Sequence, residues 1–164
     1  MLSITMGPMY SGKTTKLFKS FLDNNHDEKL VIDYDIDDNT ECITSHDGCK
    51  LPCVKRKTLG DFMPRQRYIY INEAQFFPDL VPFVLHQLQL GKTLEIYGLD
   101  GDFRQNKIGH IADLIPYSDK IEKLNGTCSI CEKPSIFTKR ITEETEQIVF
   151  NEDSYKPVCR ICIL

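Results

Sequence analysis

Two groups of residues in this chain have the types and the spacing for chemistry. The first is Gly7-Pro8-Met9-Tyr10-Ser11-Gly12-Lys13-Thr14, with Thr15 directly behind it. It fits G-x-x-x-x-G-K-[ST], a loop whose glycines let the backbone curl until several amide N–H groups point inward at a phosphate. A helix starting there adds the positive end of its dipole. Lys13 would reach the outer phosphates, and the Thr14 hydroxyl would be offered to Mg²⁺. The second group is Cys128-x-x-Cys131 and Cys159-x-x-Cys162, separated by residues 132–158. Paired thiolates on tight turns bite one zinc ion; with all four positions filled, no place is left for a reacting water, so the site reads as structural. Neither pair opens a βαβ helix, which argues against a redox role.

A third feature is Tyr68-Ile69-Tyr70-Ile71-Asn72-Glu73, an apolar run ending in polar residues. In a phosphate-loop protein this is where a strand delivers an Asp that helps to hold Mg²⁺. Asn72 takes that place here, and Glu73 follows it, sited as a general base for a substrate hydroxyl. Cys42, Cys49 and Cys53 lie near His46. The spacing C-x6-C-x3-C is poor for a second zinc knuckle, so these three read as buried or free thiols.

These groups need a frame. Residues 2–6 are an apolar strand, and 13–24 a helix whose Leu17, Phe18, Phe21 and Leu22 recur near one turn. Strands are expected at 29–34, 67–72 and 93–99, and a helix at 80–90. Residues 39–64 carry Gly, Pro, Asp and Asn punctuation and read as an irregular hairpin region. Alternation of strands and helices up to about residue 117 predicts an α/β fold, a parallel sheet covered on both faces. The expected division is 1–117 for a nucleotide-binding core and 118–164 for a small zinc-binding lobe.

Composition sets the outer bounds. The chain has 164 residues, 41% hydrophobic and 27% charged, with a net charge of −4. Its longest basic run is Lys55-Arg56-Lys57, which argues against general affinity for nucleic acid. No apolar stretch approaches a membrane span, and residues 1–6 lack the layout of a secretory signal, so a cytoplasmic location is expected.

The motifs GPMYSGKT, INEAQFFPD, YGLDGDFRQNKIG and CSIC…TKR…SYKPVCRIC stand in an order that resembles the type II thymidine kinases over essentially the whole chain. The resemblance implies a RecA-like phosphate-loop core and a C-terminal zinc-binding lasso. It implies transfer of phosphate from ATP to the 5′-hydroxyl of deoxythymidine, in line, with Mg²⁺ as cofactor and zinc as a structural ion. Glu73 matches the catalytic base, with Lys13 stabilising charge. Residues Gly7 to Thr15 and Asp37 match the ATP side. Met9, Phe76, Leu99, Phe103, Thr138, Ile148 and Tyr155 match the nucleoside side, Tyr155 in the lasso that closes over it. His46-Asp47-Gly48 resembles the family's hairpin segment, and a cytosolic homotetramer is implied. The chain departs from the family at Asn72, where Asp is usual, at Asn39, where Arg is usual, and at Phe150-Asn151, where two glycines are usual. Two other readings fit the same motifs: a kinase for other deoxynucleosides such as deoxyuridine, and a degenerate homologue that only binds nucleotides or partners.

Overall fold

A computed structural model describes residues 1–36, 40–45 and 48–164. The chain opens with β1 (Leu2–Gly7), α1 (Lys13–Asp23) and β2 (Lys29–Tyr34). A short antiparallel hairpin follows, β3 (Cys42–Thr44) with β4 (Lys50–Pro52), and then β5 (Val54–Arg56). Next come β6 (Tyr68–Ile71), α2 (Leu80–Gln89), β7 (Thr93–Leu99) and β8 (Lys120–Lys123). Six strands form one sheet in the order β5-β2-β6-β7-β1-β8, and every pairing in it is parallel.

The period-two pattern of the strands explains why both faces are covered. Leu2, Ile4, Ile32, Ile69, Ile71, Leu94 and Ile96 point to one side and pack on α2 through Leu80, Phe83 and Val84. A 3-10 helix at Ile111–Tyr117 completes that layer with Ile111 and Leu114. Val31, Tyr70 and Tyr97 point to the other side, against Leu17 and Phe18 of α1 and against Ile43 and Leu51 of the hairpin. The helix-spaced residues Leu17 and Phe18 are thus the buried stripe of α1, whereas Leu22 is exposed.

Two strands of the sheet were not legible in the sequence. β5 lies inside the segment read as an irregular hairpin region and forms one edge of the sheet beside β2. β8 begins past residue 117 and pairs with β1, so the chain leaves the sheet only after Lys123. The remainder forms two small antiparallel ladders. They are β9 (Gly126–Thr127) with β10 (Pro134–Ser135), and β11 (Phe137–Arg140) with β12 (Tyr155–Val158). The buried core of this lobe is only Cys128, Val158 and Cys159, with Phe137 packed on it. So little apolar burial does not hold a fold without a staple.

Candidate active site

A parallel sheet brings all its carboxyl ends to one edge, and ligands of such sheets bind there. β1 delivers the phosphate loop to that edge, β6 delivers Asn72 and Glu73, and β7 delivers Asp100. Gly12 turns the loop into α1 at φ +82°, a left-handed conformation that a side chain would strain. Lys13 is buried, and its ammonium donates to the carbonyls of Pro8 at 2.7 Å and Gly7 at 3.2 Å. Burial pushes the Lys13 pKa down, while the charges of Glu73 and Asp100 push it back up. Of these two carboxylates, Glu73 lines the same cleft as Lys13, whereas Asp100 is ion-paired with Lys123 at 2.6 Å.

Glu73 itself sits in the left-handed region, at φ +48°. Such a conformation in a non-glycine residue costs energy and persists only where the surroundings enforce it. Two residues later, Gln75 does so. Its side chain is 3% exposed. Its Nε2 donates to Glu73 Oε2 at 2.6 Å, and its Oε1 accepts the Leu99 N–H at 3.0 Å. Gly98 leaves the room: a Cβ there would lie 2.3 Å from Gln75 Oε1. Burial raises the Glu73 pKa above the ordinary carboxylate range, opposed by Lys13 and by the Gln75 hydrogen bond. A carboxylate raised in this way is a better proton acceptor near neutral pH. Gln75 was not singled out in the sequence; a polar residue between Ala74 and Phe76 carries no signal until its burial is seen.

Asn72 is buried and donates from Nδ2 to Asp33 Oδ1 at 2.9 Å. The other oxygen of Asp33 is paired with Lys55 Nζ at 2.7 Å. The carboxylate at this corner thus stands on β2 rather than at the end of β6.

The lobe closes the cleft from above. Thr138 Oγ1 accepts the Met9 N–H at 2.9 Å, and the Tyr10 hydroxyl donates to the Glu152 carbonyl at 2.9 Å. Gln147 Nε2 donates to Asp102 Oδ2 at 2.9 Å. Phe150 reaches down to Phe76, with ring centroids 5.0 Å apart, and stacks on Tyr34 at 6.1 Å.

The expected residues can now be placed. Met9 through Thr15 line one cleft with Glu73, Phe76 and Leu99. Phe103, Thr138, Ile148 and Tyr155 line the same cleft from the other side. Gly7 and Pro8 lie beneath it as acceptors for Lys13. Asp37, Asn39, His46 and Asp47 fall outside the described residues. Gln147, Val149 and Glu152 also line the cleft but were not expected there, and Phe150 and Asn151, which stand where the family usually has two glycines, line it as well.

The cysteine quartet lies apart from the cleft. The ligand sulfurs of Cys128, Cys131, Cys159 and Cys162 all lie within 4.8 Å of one another. Four thiolates around one zinc at about 2.3 Å would stand about 3.8 Å apart, so the cage has the right size. Burial works against charge on the Cys128 sulfur, but the backbone N–H groups of Ile130, Cys159 and Cys131 outweigh it and bring its pKa down to about 6. Sulfurs that receive amide hydrogen bonds are suited to bind as thiolates, and the set fits zinc. Among the described residues, Cys42, Cys49 and Cys53 join no such cluster and form no disulfide.

Comparison with known proteins gives the same reading from another direction. A family model described as thymidine kinase matches residues 1–163. The chain is 34% identical to a thymidine kinase of Oryza sativa subsp. japonica, over 97% of this chain and 64% of that protein. It thus spans somewhat less than two-thirds of the rice relative. It is 33% identical to the thymidine kinase of Myxoma virus (strain Uriarra), over 98% of this chain and 94% of the viral protein. It is 32% identical to the cytosolic thymidine kinase of Gallus gallus, over 98% of this chain and 75% of the relative. A half-buried glutamate in the same cleft as a phosphate loop, a four-cysteine cage and a match from end to end agree: the chain belongs to the thymidine kinase family.

Proposed function

We propose that this chain transfers the γ-phosphoryl group of ATP to the 5′-hydroxyl of deoxythymidine. The observation that carries the reading is that Glu73 and Lys13 line one cleft together with the rest of the phosphate loop and the lasso. The loop amides and Lys13 bind the phosphates and spread the charge that develops on the transferred group. Glu73 takes the proton of the 5′-hydroxyl, with Gln75 fixing the direction of its carboxylate. Met9, Phe76, Leu99, Phe103, Thr138, Ile148 and Tyr155 form the nucleoside side, walls suited to a flat apolar ring with polar edges. Mg²⁺, when bound, would neutralise the outer phosphates; Thr14 opens α1 on the cleft and is the hydroxyl suited to it.

Two units divide the work in this proposal: a phosphate-binding core, and a lobe whose zinc, held by the four cysteines, anchors the lasso. The pairing of β8 with β1 supports a boundary after Lys123 instead of 117/118. Among the described residues no helix is long and apolar enough to cross a membrane. A cytoplasmic homotetramer acting on small molecules, without nucleic acid, completes the reading. A role restricted to binding is favoured by one observation, that Asn72 gives its amide to Asp33 and adds no charge at the end of β6.

Phosphate transfer from ATP and Mg²⁺ across a panel of nucleosides decides among these. Deoxythymidine 5′-monophosphate as the main product supports the proposal. A preference for deoxyuridine or another acceptor would change the substrate, and nucleotide binding without product would leave a binding protein.

A further inference from the structure

Residues 141–150 follow directly on the end of β11 without regular secondary structure, and 147–150 line the cleft. A segment of this kind has no ladder and little core to hold its shape. Among the described residues, Arg140 holds more of its carbonyls than any other side chain; Arg104 adds a hydrogen bond to the Thr145 carbonyl at 2.5 Å, and the Gln147 side chain is tied to Asp102. Arg140, the last residue of β11, is 9% exposed. One guanidinium nitrogen donates to the carbonyl of Glu144 at 2.9 Å and to that of Glu146. The other donates to the carbonyl of Gln147 at 3.4 Å and to the hydroxyl of Tyr155. That hydroxyl also accepts the Val149 N–H at 3.2 Å. The guanidinium carbon lies 3.9 Å from the centre of the Phe103 ring and 5.0 Å from that of Tyr155.

We infer that Arg140 is a positioning residue for the nucleoside: it gathers the carbonyls of Glu144, Glu146 and Gln147 onto one planar cation and so holds Ile148 and Val149 against the cleft. The inference rests on the nucleoside lying beneath the lasso, as proposed above. Carbonyls four to seven residues along an irregular chain diverge unless a common donor turns them inward. A guanidinium offers donors in fixed directions within one plane, which an ammonium does not, so Lys at this position would serve fewer of the three. The same cation is packed on Phe103 and is bonded to Tyr155, two residues of the nucleoside side. Arg140 therefore couples the curvature of the lasso to the aromatic wall without itself lining the cleft.

The test uses the full chain and two readouts. Arg140→Ala should raise KM for thymidine about 10- to 100-fold, as expected for losing several charge-assisted hydrogen bonds, with KM for ATP within about twofold. Cleavage of the native protein by a glutamyl endopeptidase after Glu144 and Glu146 should speed up by about tenfold or more, since the held carbonyls of these two residues belong to the scissile bonds. Millimolar guanidinium should reverse part of both effects in Arg140→Ala and do nothing for the parent protein. Arg140→Lys, which keeps the charge and much of the bulk, should fall between the two in both readouts. The inference is overturned by wild-type cleavage rates in Arg140→Ala, by Arg140→Lys behaving as the parent, or by equal losses for both substrates that guanidinium does not relieve. Absence of thymidine phosphorylation in the parent protein would sink the proposed activity instead, and the cleavage arm would still decide the role of Arg140.

Discussion

The side chain of Gln75 donates to Glu73 at 2.6 Å while accepting the Leu99 N–H at 3.0 Å, so one buried amide ties the proposed base to the end of the neighbouring strand. An amide has one donor end and one acceptor end, and here each is committed. The Glu73 carboxylate cannot rotate without breaking this pair. Its strained φ and its raised pKa follow from the same enclosure. Strain and burial at one residue are the features expected where a side chain is held for chemistry.

Glu73→Gln should lower kcat by roughly two to four orders of magnitude with little change in thymidine affinity, because it removes the basic oxygen and keeps the size. Calorimetry beside steady-state rates checks both halves. Near-normal turnover would exclude Glu73 as the base. Stability should move the other way. A carboxyl whose folded pKa is raised costs the fold stability as pH climbs from the ordinary 4.5 through the folded value. The Gln variant should therefore melt later than the parent at neutral pH, and the gain should vanish in acid.

The acidic limb of kcat/KM should lie above the ordinary glutamate value of 4.5, since the base works only when deprotonated and burial raises its pKa. Gln75→Leu removes a hydrogen bond that favours the charged form, so the limb should shift to still higher pH. An unchanged limb in that variant would mean that Gln75 does not set the basicity of Glu73.

Asn72→Asp is the substitution that the usual family pattern would suggest for stronger Mg²⁺ binding. The new carboxylate would stand within hydrogen-bond distance of Asp33, with Lys55 the cation paired there. Two carboxylates so close share a proton, and their ionisation as pH rises should destabilise the protein by roughly 2–4 kcal/mol at neutral pH. Adding Asp33→Asn should restore stability by returning one amide and one carboxylate to the corner. Chemical denaturation of the two variants at pH 5 and pH 8 measures it. Equal stability of Asn72→Asp and the parent at both pH values would show that the pair is not coupled.

How much of this was legible beforehand depended on how local the cause was. The phosphate loop and the cysteine knuckles are contiguous patterns whose chemistry follows from spacing, and the structure assembles both as read. β1, β2 and β7 were also legible, because strands buried on both faces are apolar runs bounded by turns. β8, with the sequence Lys120-Ile121-Glu122-Lys123, fell to the zinc-binding lobe because it offers a single apolar residue; only its pairing with β1 makes it a strand of the sheet. Asp33 and Gln75 were missed for the same reason. A polar residue acquires its role from a partner 39 positions away in one case and from the Leu99 backbone 24 positions away in the other. No window along the chain contains that information.

The zinc site gives a prediction about order of loss. With a hydrophobic core of only Cys128, Val158 and Cys159, the lobe depends on the ion as a staple, whereas the six-stranded sheet does not. Metal analysis should find one zinc per chain. Cys131→Ser, or chelation, should open residues 126–164 to hydrogen exchange while β1, β6 and β7 keep their protection. Loss of protection across the sheet at the same rate would mean that the lobe and core fold as one unit.

Phe150 stands where the family usually has glycine, and it joins the lasso to the core through Phe76 at 5.0 Å and Tyr34 at 6.1 Å. Tilted and stacked aromatic contacts of this kind contribute about 0.5–1.5 kcal/mol each beyond burial. Phe150 is still 58% exposed, so its packing is partial and the expected effect is at the lower end. A glycine at this position would remove both contacts and free the lasso backbone as well. Phe150→Gly should therefore raise the thymidine dissociation rate and KM by about three- to tenfold, with kcat unchanged or higher if product release limits turnover. Phe150→Leu, which keeps an apolar contact but not the ring, should lie between. Stopped-flow release of a fluorescent thymidine analogue separates the two effects. A dissociation rate equal to that of the parent would show that the aromatic contact rests on the closed lasso without holding it.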